Sequence, residues 1–236
     1  MILQQQRVLQ TIDILVLHRI KGIGNKAQLG LIKCYKENHL NSLEDLLHLD
    51  LFQKETINGA HTITPSPLPK RAIKLLKDFF ANNLYEVTKN KCESDLVEWS
   101  SSGIDVLAFD SSKYPIQLKS LDDPPTLLFC KGNLNLLSNP KSIAVVGTRE
   151  NTKLGEKIAC KTVEHYSNLD FCIVSGLALG IDSIAHRTAL ENNAKTIAVL
   201  VDVVNVSPPN NRKLAEQIIK QNGLLISENS PGTKGV

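Results

Sequence analysis

Ser142-Ile-Ala-Val-Val-Gly-Thr-Arg149 and Phe171-Cys-Ile-Val-Ser-Gly-Leu-Ala-Leu-Gly-Ile-Asp182 share one plan: a short run rich in β-branched residues, a loop of small residues, then a helical pattern. Parallel sheets are wound from such units, and the loop places backbone N–H groups at a helix start, where anions bind. The alternation continues along the chain, with strands expected near 143–147, 171–175, 196–200 and 224–227 and helices near 153–167, 183–193 and 211–222. That order implies a parallel sheet with right-handed crossovers and helices on both faces. Ligands of such sheets bind beyond the carboxyl ends of the strands, so Gly147, Thr148 and Arg149 should meet Ser175 and Gly176 at one edge.

The residues before position 100 follow a different rhythm. Val8, Ile12 and Leu15, with His18 and Arg19, mark a helix over 7–19, and a second over 25–36 follows the glycine-bearing break Ile20-Lys-Gly-Ile-Gly-Asn-Lys-Ala27. Ser42-Leu-Glu-Asp45 fits a capping box and starts a short helix through His48. Pro65, Pro67 and Pro69 interrupt the chain before an amphipathic helix that runs from 69 or 70 to 81. Helical spacing resumes near Asn90, with Leu96 and Trp99 as core contacts, until Ser100-Ser-Ser-Gly103 ends it. Ile104-Asp-Val-Leu-Ala108 and Thr126-Leu-Leu-Phe-Cys130 read as strands separated by a turn-rich segment. The expected organisation is a small all-α domain over 1–100 with a helix-hairpin-helix or SAM-like turn, then an α/β Rossmann-like domain over 101–236.

Composition narrows the chemistry. A chain of 236 residues that is 42% hydrophobic can bury a substantial core, and its net charge of +3 permits a nucleic-acid partner without arguing for one. Its 5 cysteines, Cys34, Cys92, Cys130, Cys160 and Cys172, are scattered and contain no Cys-x-x-Cys, which suits reduced thiols in a cytoplasm and neither a disulfide framework nor a metal site. The first residues lack the charged start and apolar run of a secretory signal, and no segment approaches the ~18 apolar residues of a membrane span. There is no Gly-x-Gly-x-x-Gly fingerprint, no Walker lysine motif and no pair of carboxylates placed for acid–base work, so no cofactor and no catalytic residue are expected.

Each candidate site has a plainer reading beside the functional one. Arg149 presents a planar fork suited to phosphate, or is simply a solvated residue after a strand. Gly176 and Gly180 bring backbone N–H groups close to an anion and Ser175 offers a hydroxyl, or the segment is a tight connection capped by Asp182. Asp182 and His186, four apart on one helical face, suggest a structural hydrogen bond. Gly22, Gly24 and Lys26 could hold a phosphate backbone, or form a helical turn packed against its domain.

Taken together, the series resembles the DprA/Smf family, the DNA-processing proteins of bacterial transformation. The matching residues run through Gly103-Ile104, Tyr114-Pro115, Asp123-Pro-Pro125, Leu127-Leu-Phe129 and Gly132-Asn133. They continue with Val146-Gly-Thr-Arg149, Ser175 to Asp182 with Ala185-His186, Thr196 to Leu200, and Gly223-Leu-Leu-Ile-Ser-Glu228. The resemblance implies a non-enzymatic protein that binds single-stranded DNA, protects it, helps load the RecA recombinase and associates with itself. By position, Gly147, Thr148, Arg149, Ser175, Gly176 and Gly180 would line the DNA pocket. Three departures stand out: 201–209 lacks the family's glycine and tyrosine, Leu179 stands where a basic residue is frequent, and the chain ends where the family continues into a Phe-Pro-x-Arg-Asn-Arg segment. The last leads to the expectation of a partial fold prone to association, unless the chain is a fragment of a longer product. Two rival readings follow: an enzyme acting on a small phosphate-bearing nucleotide, and a remnant without DNA binding.

Overall fold

The computed structural model describes residues 10–48, 52–57, 60–65 and 70–233, with side chains described outside 49–69. The chain divides into two units, one holding the described residues up to Val97 together with Asp122–Thr126, the other Glu98–Leu121 and the residues from Leu127 onward.

In the first unit, helix α1 (Thr11–Arg19) buries the four consecutive residues Ile14, Leu15, Val16 and Leu17 completely, so burial runs round its middle turn and is not confined to one stripe. The earlier part of the expected helix, with Val8, lies outside the described residues. Helix α2 (Asn25–Glu37) follows the glycine break as expected. The Ser42 capping box is formed, with Asp45 Oδ2 accepting from the Asn41 and Ser42 amides at 2.9 Å each, and it opens a 3₁₀ turn over Glu44–His48. A hairpin of β1 (Phe52–Ile57) and β2 (Ala60–Pro65) occupies a stretch to which the sequence analysis assigns no element. Pro65 pairs with Phe52 at the hairpin's open end, where a missing N–H is tolerated, while Pro67 and Pro69 lie outside the described residues. Helix α3 (Lys70–Ala81) matches its expectation.

Helix α4 (Leu84–Ser101) starts well before Asn90; its first turns expose Leu84 and Val87, which hides the apolar period there from the sequence pattern. Trp99 is buried as expected, Leu96 only half so, and Cys92 and Asp95 are buried as well. Asp95 accepts from Lys91 at 2.6 Å and from Arg19, so the buried carboxylate is paired from two sides.

The second unit is built on one six-stranded sheet. Its strands are β3 (Ile104–Ala108), β4 (Leu127–Gly132), β5 (Ser142–Ala144), β6 (Cys172–Ser175), β7 (Thr196–Val199) and β8 (Leu224–Ser227), in the order β3-β4-β8-β7-β6-β5. The four strands from β5 to β8 are parallel, as their alternation with helices α6 (Lys153–Asn168), α7 (Ile181–Glu191) and α8 (Arg212–Lys220) requires. Strands β3 and β4 extend this sheet antiparallel beyond β8.

Strand alternation splits the core into two layers. Cys172, Ile197 and Leu224 join Leu128, Tyr114, Leu136 and Leu137 in one cluster. Ile173 joins Val145, Val163, Ile184 and Ala185 under α6 and α7 in the other. Helix α5 (Ile116–Lys119), with Leu118, and the 3₁₀ turn Leu134–Ser138 cover the first layer. Burial pushes the thiols of Cys130 and Cys172 up to about 12, so both act as small core hydrophobes, and all five cysteines are free. Among the described residues no helix is long and apolar enough to cross a membrane.

Candidate nucleic-acid interface

Strand β5 ends two residues earlier than its apolar run, and the chain leaves the sheet with Val146 largely exposed. The chain then passes close to α7. Gly147 passes α7 so tightly that a Cβ there would lie 2.7 Å from Ile181 Cγ1. Gly180 lies in the left-handed region at φ +77°, and a Cβ there would lie 2.6 Å from the Arg149 carbonyl. The Ile181 amide donates to Thr148 O at 3.1 Å, so the loop after β5 and the loop after β6 are clasped into one body. Thr148 Oγ1 accepts from the Glu150 amide at 3.2 Å, which folds the first loop back on itself before Thr152 caps α6 by accepting from Gly155 N at 3.1 Å.

The structure therefore brings Gly147, Thr148, Arg149, Ser175, Gly176 and Gly180 together, but in unequal roles. Ser175 is buried and its hydroxyl donates to Val145 O at 2.6 Å, turned toward the sheet. Asp182 is buried in the first turn of α7, accepts from the Ala178 amide at 3.4 Å and sits directly behind Gly176. The favoured anion at the start of α7 is thus the protein's own carboxylate. The hydrogen bond expected between Asp182 and His186 is not formed, since each finds another partner. Thr196 donates its hydroxyl proton to Ile173 O at 2.8 Å, which obliges His186 Nδ1 to donate to Thr196 Oγ1, also at 2.8 Å. Burial pushes the imidazole down to about 4, so at neutral pH it is uncharged and sealed from solvent.

Arg149 is the exception. It is exposed and has no ion-pair or hydrogen-bond partner for its side chain among the described residues. It stands at a cleft of about 370 Å³ beyond the carboxyl ends of β6 and β7, whose lining includes Gly176, Ala178, Leu179, Val201, Ser207 and Pro208. Leu179, at 42% exposure, gives this wall an apolar side chain, in keeping with its reading from the sequence as a departure from a frequently basic position.

Two residues that no sequence motif singles out hold the cleft's other wall. Buried Asp202 accepts from Val204 N and Asn205 Nδ2 at 2.8 Å each and from Gly232 N at 2.9 Å, which fixes the loop that lacks glycine and tyrosine. Buried Asn211 donates to Leu177 O at 2.8 Å and Ala178 O at 3.1 Å, tying the start of α8 to the loop after β6. A short polar residue beside Pro-Pro or after a strand was the available signal.

Gly22, Gly24 and Lys26 lie in the first unit. Gly22 has φ +93° and faces Leu75, Gly24 caps α2, and Lys26 is exposed. Next to them Asn25 donates to Asp123 Oδ1 at 2.7 Å and Pro124 O at 2.8 Å and accepts from Thr126 N at 3.0 Å. Gln28 braces the turn from inside, donating to Ile23 O at 2.9 Å and accepting from Thr126 Oγ1 at 2.6 Å.

A four-stranded parallel array with helices between its strands, and with two clasped βα loops and the exposed Arg149 at its carboxyl edge, defines a Rossmann-like α/β domain. The chain belongs to the DNA recombination-mediator protein A family, whose model matches residues 105–236. It is 45% identical over 119 residues to the DNA processing protein DprA of Streptococcus pneumoniae, covering 50% of this chain and 42% of that protein. It is 36% identical over 140 residues to DprA of Bacillus subtilis, covering 59% and 47% respectively. The X-ray structure of the Streptococcus pneumoniae DprA superimposes with a TM-score of 0.74 at 27% identity, covering 97% of this chain and 70% of that one. The chain spans about half the length of the curated relatives it matches.

Proposed function

We propose that this chain is a non-enzymatic, single-stranded DNA-binding protein of bacterial transformation, gripping the strand by its phosphates at the Arg149 cleft. It shields incoming DNA, associates with itself and passes the strand to the RecA recombinase in the cytoplasm. The observation that carries this reading is Arg149, exposed and without a partner among the described residues, beside a cleft at the carboxyl edge of the sheet. The described lining of that cleft contains no carboxylate, imidazole or thiol, which favours binding over acid–base or nucleophilic chemistry. Backbone contacts of this kind tolerate any sequence and weaken with salt.

Fluorescence anisotropy of a labelled single strand, with matched duplex as control and a salt series, tests it. The chain should prefer the single strand, and Arg149→Ala should weaken binding and flatten the salt slope by about 0.7 for each phosphate that is no longer neutralised. Lys26→Ala should change neither. Weakened binding in Lys26→Ala with Arg149→Ala silent would move the phosphate grip to the helical unit. Displacement of the strand by a mononucleotide at comparable concentration would favour the small-ligand reading instead.

A further inference from the structure

Beside α8 the α/β unit carries a second concavity, a groove of about 530 Å³ with an apolar floor that includes Ala215, Ile219 and Leu225. Its rim is charged, with Lys131 at the end of β4 and Arg212, Glu216 and Lys220 along α8. The three α8 residues follow one another at the i,i+4 spacing at which opposite helix charges pair. Among the described residues, however, none of them and not Lys131 takes part in an ion pair. Three cations against one carboxylate, all free, over an apolar floor suit a ligand that alternates negative charge with flat, poorly hydrated surface. A nucleic-acid strand does so at every nucleotide.

The groove also adjoins the cleft. The loop over 201–208 forms a wall of both, with Val201, Ser207 and Pro208 on the cleft side and Val203, Val204 and Val206 on the groove side. We propose that the groove receives the continuation of the strand held at Arg149, its bases on the aliphatic floor and its phosphates at Lys131, Arg212 and Lys220. This inference rests on the single-stranded DNA reading of the cleft. It makes α8 part of the DNA-binding surface and the loop over 201–208 the ridge that the strand crosses.

The test is anisotropy with single strands of increasing length, on the wild-type chain, on a triple Lys131→Gln, Arg212→Gln, Lys220→Gln variant, and on Glu216→Gln. Short strands that fill only the cleft should bind the triple variant as they bind the wild type. Long strands should bind it about tenfold more weakly at low salt, with the salt slope reduced by about two, since each single-strand phosphate contact contributes ~0.7. Glu216→Gln should tighten long strands alone, a gain that misfolding cannot produce. If the triple variant equals the wild type at every length while Arg149→Ala weakens all strands, the groove is overturned and the cleft stands. If the wild type binds no strand at low salt, both fall.

Discussion

Glycine-bearing loops open a helix in both units, and those before α7 and α2 use glycine differently. At the start of α7, Gly180 presses against the backbone of Thr148 and Arg149, which cannot give way. At the turn before α2, Gly22 meets only the tip of Leu75 at 3.1 Å and Gly24 faces open space. The neighbouring polar groups differ as well: among the described residues Arg149 is left without a partner, whereas Asn25 is tied to Asp123, Pro124 and Thr126. A similar small-residue signature thus builds a clasp with a free cation in one unit and a braced hairpin in the other. What separates them is where the polar side chains beside the glycines go.

The largest effect that would break this contrast is steric. Gly180→Ala adds a Cβ at positive φ against rigid backbone and should destabilise the α/β unit by about 3 kcal/mol. Gly24→Ala, at φ −77° with free space, should cost under about 1 kcal/mol through a poorer cap. Denaturant unfolding of both variants measures the difference, and equal costs would mean that the clasp is not rigid.

Acid sharpens the comparison next, because each unit holds a histidine whose imidazole is pushed down by desolvation, His186 fully buried and His18 only partly so. His186 is pushed from 6.5 down to about 4, chiefly by burial, so between those values the unfolded chain binds a proton that the folded one refuses. Its contribution is complete above pH 6.5 and is lost as pH falls toward about 4, a swing of about 3 kcal/mol. His18 is also pushed down by burial, but a hydrogen bond with Gln28 works against the shift. Unfolding measured against pH should therefore flatten more in His186→Gln than in His18→Gln, and an unchanged slope in the first would acquit that imidazole.

Much of this was legible in the chain. The four parallel strands and their helices announce themselves because each β-branched run is closed by small residues and each helix keeps its apolar period. The hairpin β1–β2 was equally available, since Asn58-Gly59 separates Thr56-Ile57 from the alternating Ala60-His-Thr-Ile-Thr64, but the prolines that follow point toward loop. The first turns of α4 were not legible, because Leu84 and Val87 face solvent. At the cleft the sequence located the glycines but not the direction of the side chains between them. Nothing local says that Ser175 turns inward or that Asp182 prefers a loop amide to His186. Asp202 and Asn211 look like ordinary turn residues until the fold brings the amides and carbonyls they bind within reach.

Ser175→Ala probes the finest distinction, between residues that hold the clasp and residues that face the ligand. Removing the hydroxyl leaves Val145 O without the buried donor now 2.6 Å away, at a cost of about 1–2 kcal/mol. Because that hydroxyl points into the sheet, affinity for single-stranded DNA should stay at the wild-type value. Arg149→Ala should do the reverse, lowering affinity and salt dependence while leaving the unfolding midpoint in place, since the side chain is exposed and touches no partner among the described residues. If Ser175→Ala instead loses affinity without losing stability, the hydroxyl contacts phosphate, and the loop after β6 must open away from Val145 when the strand binds.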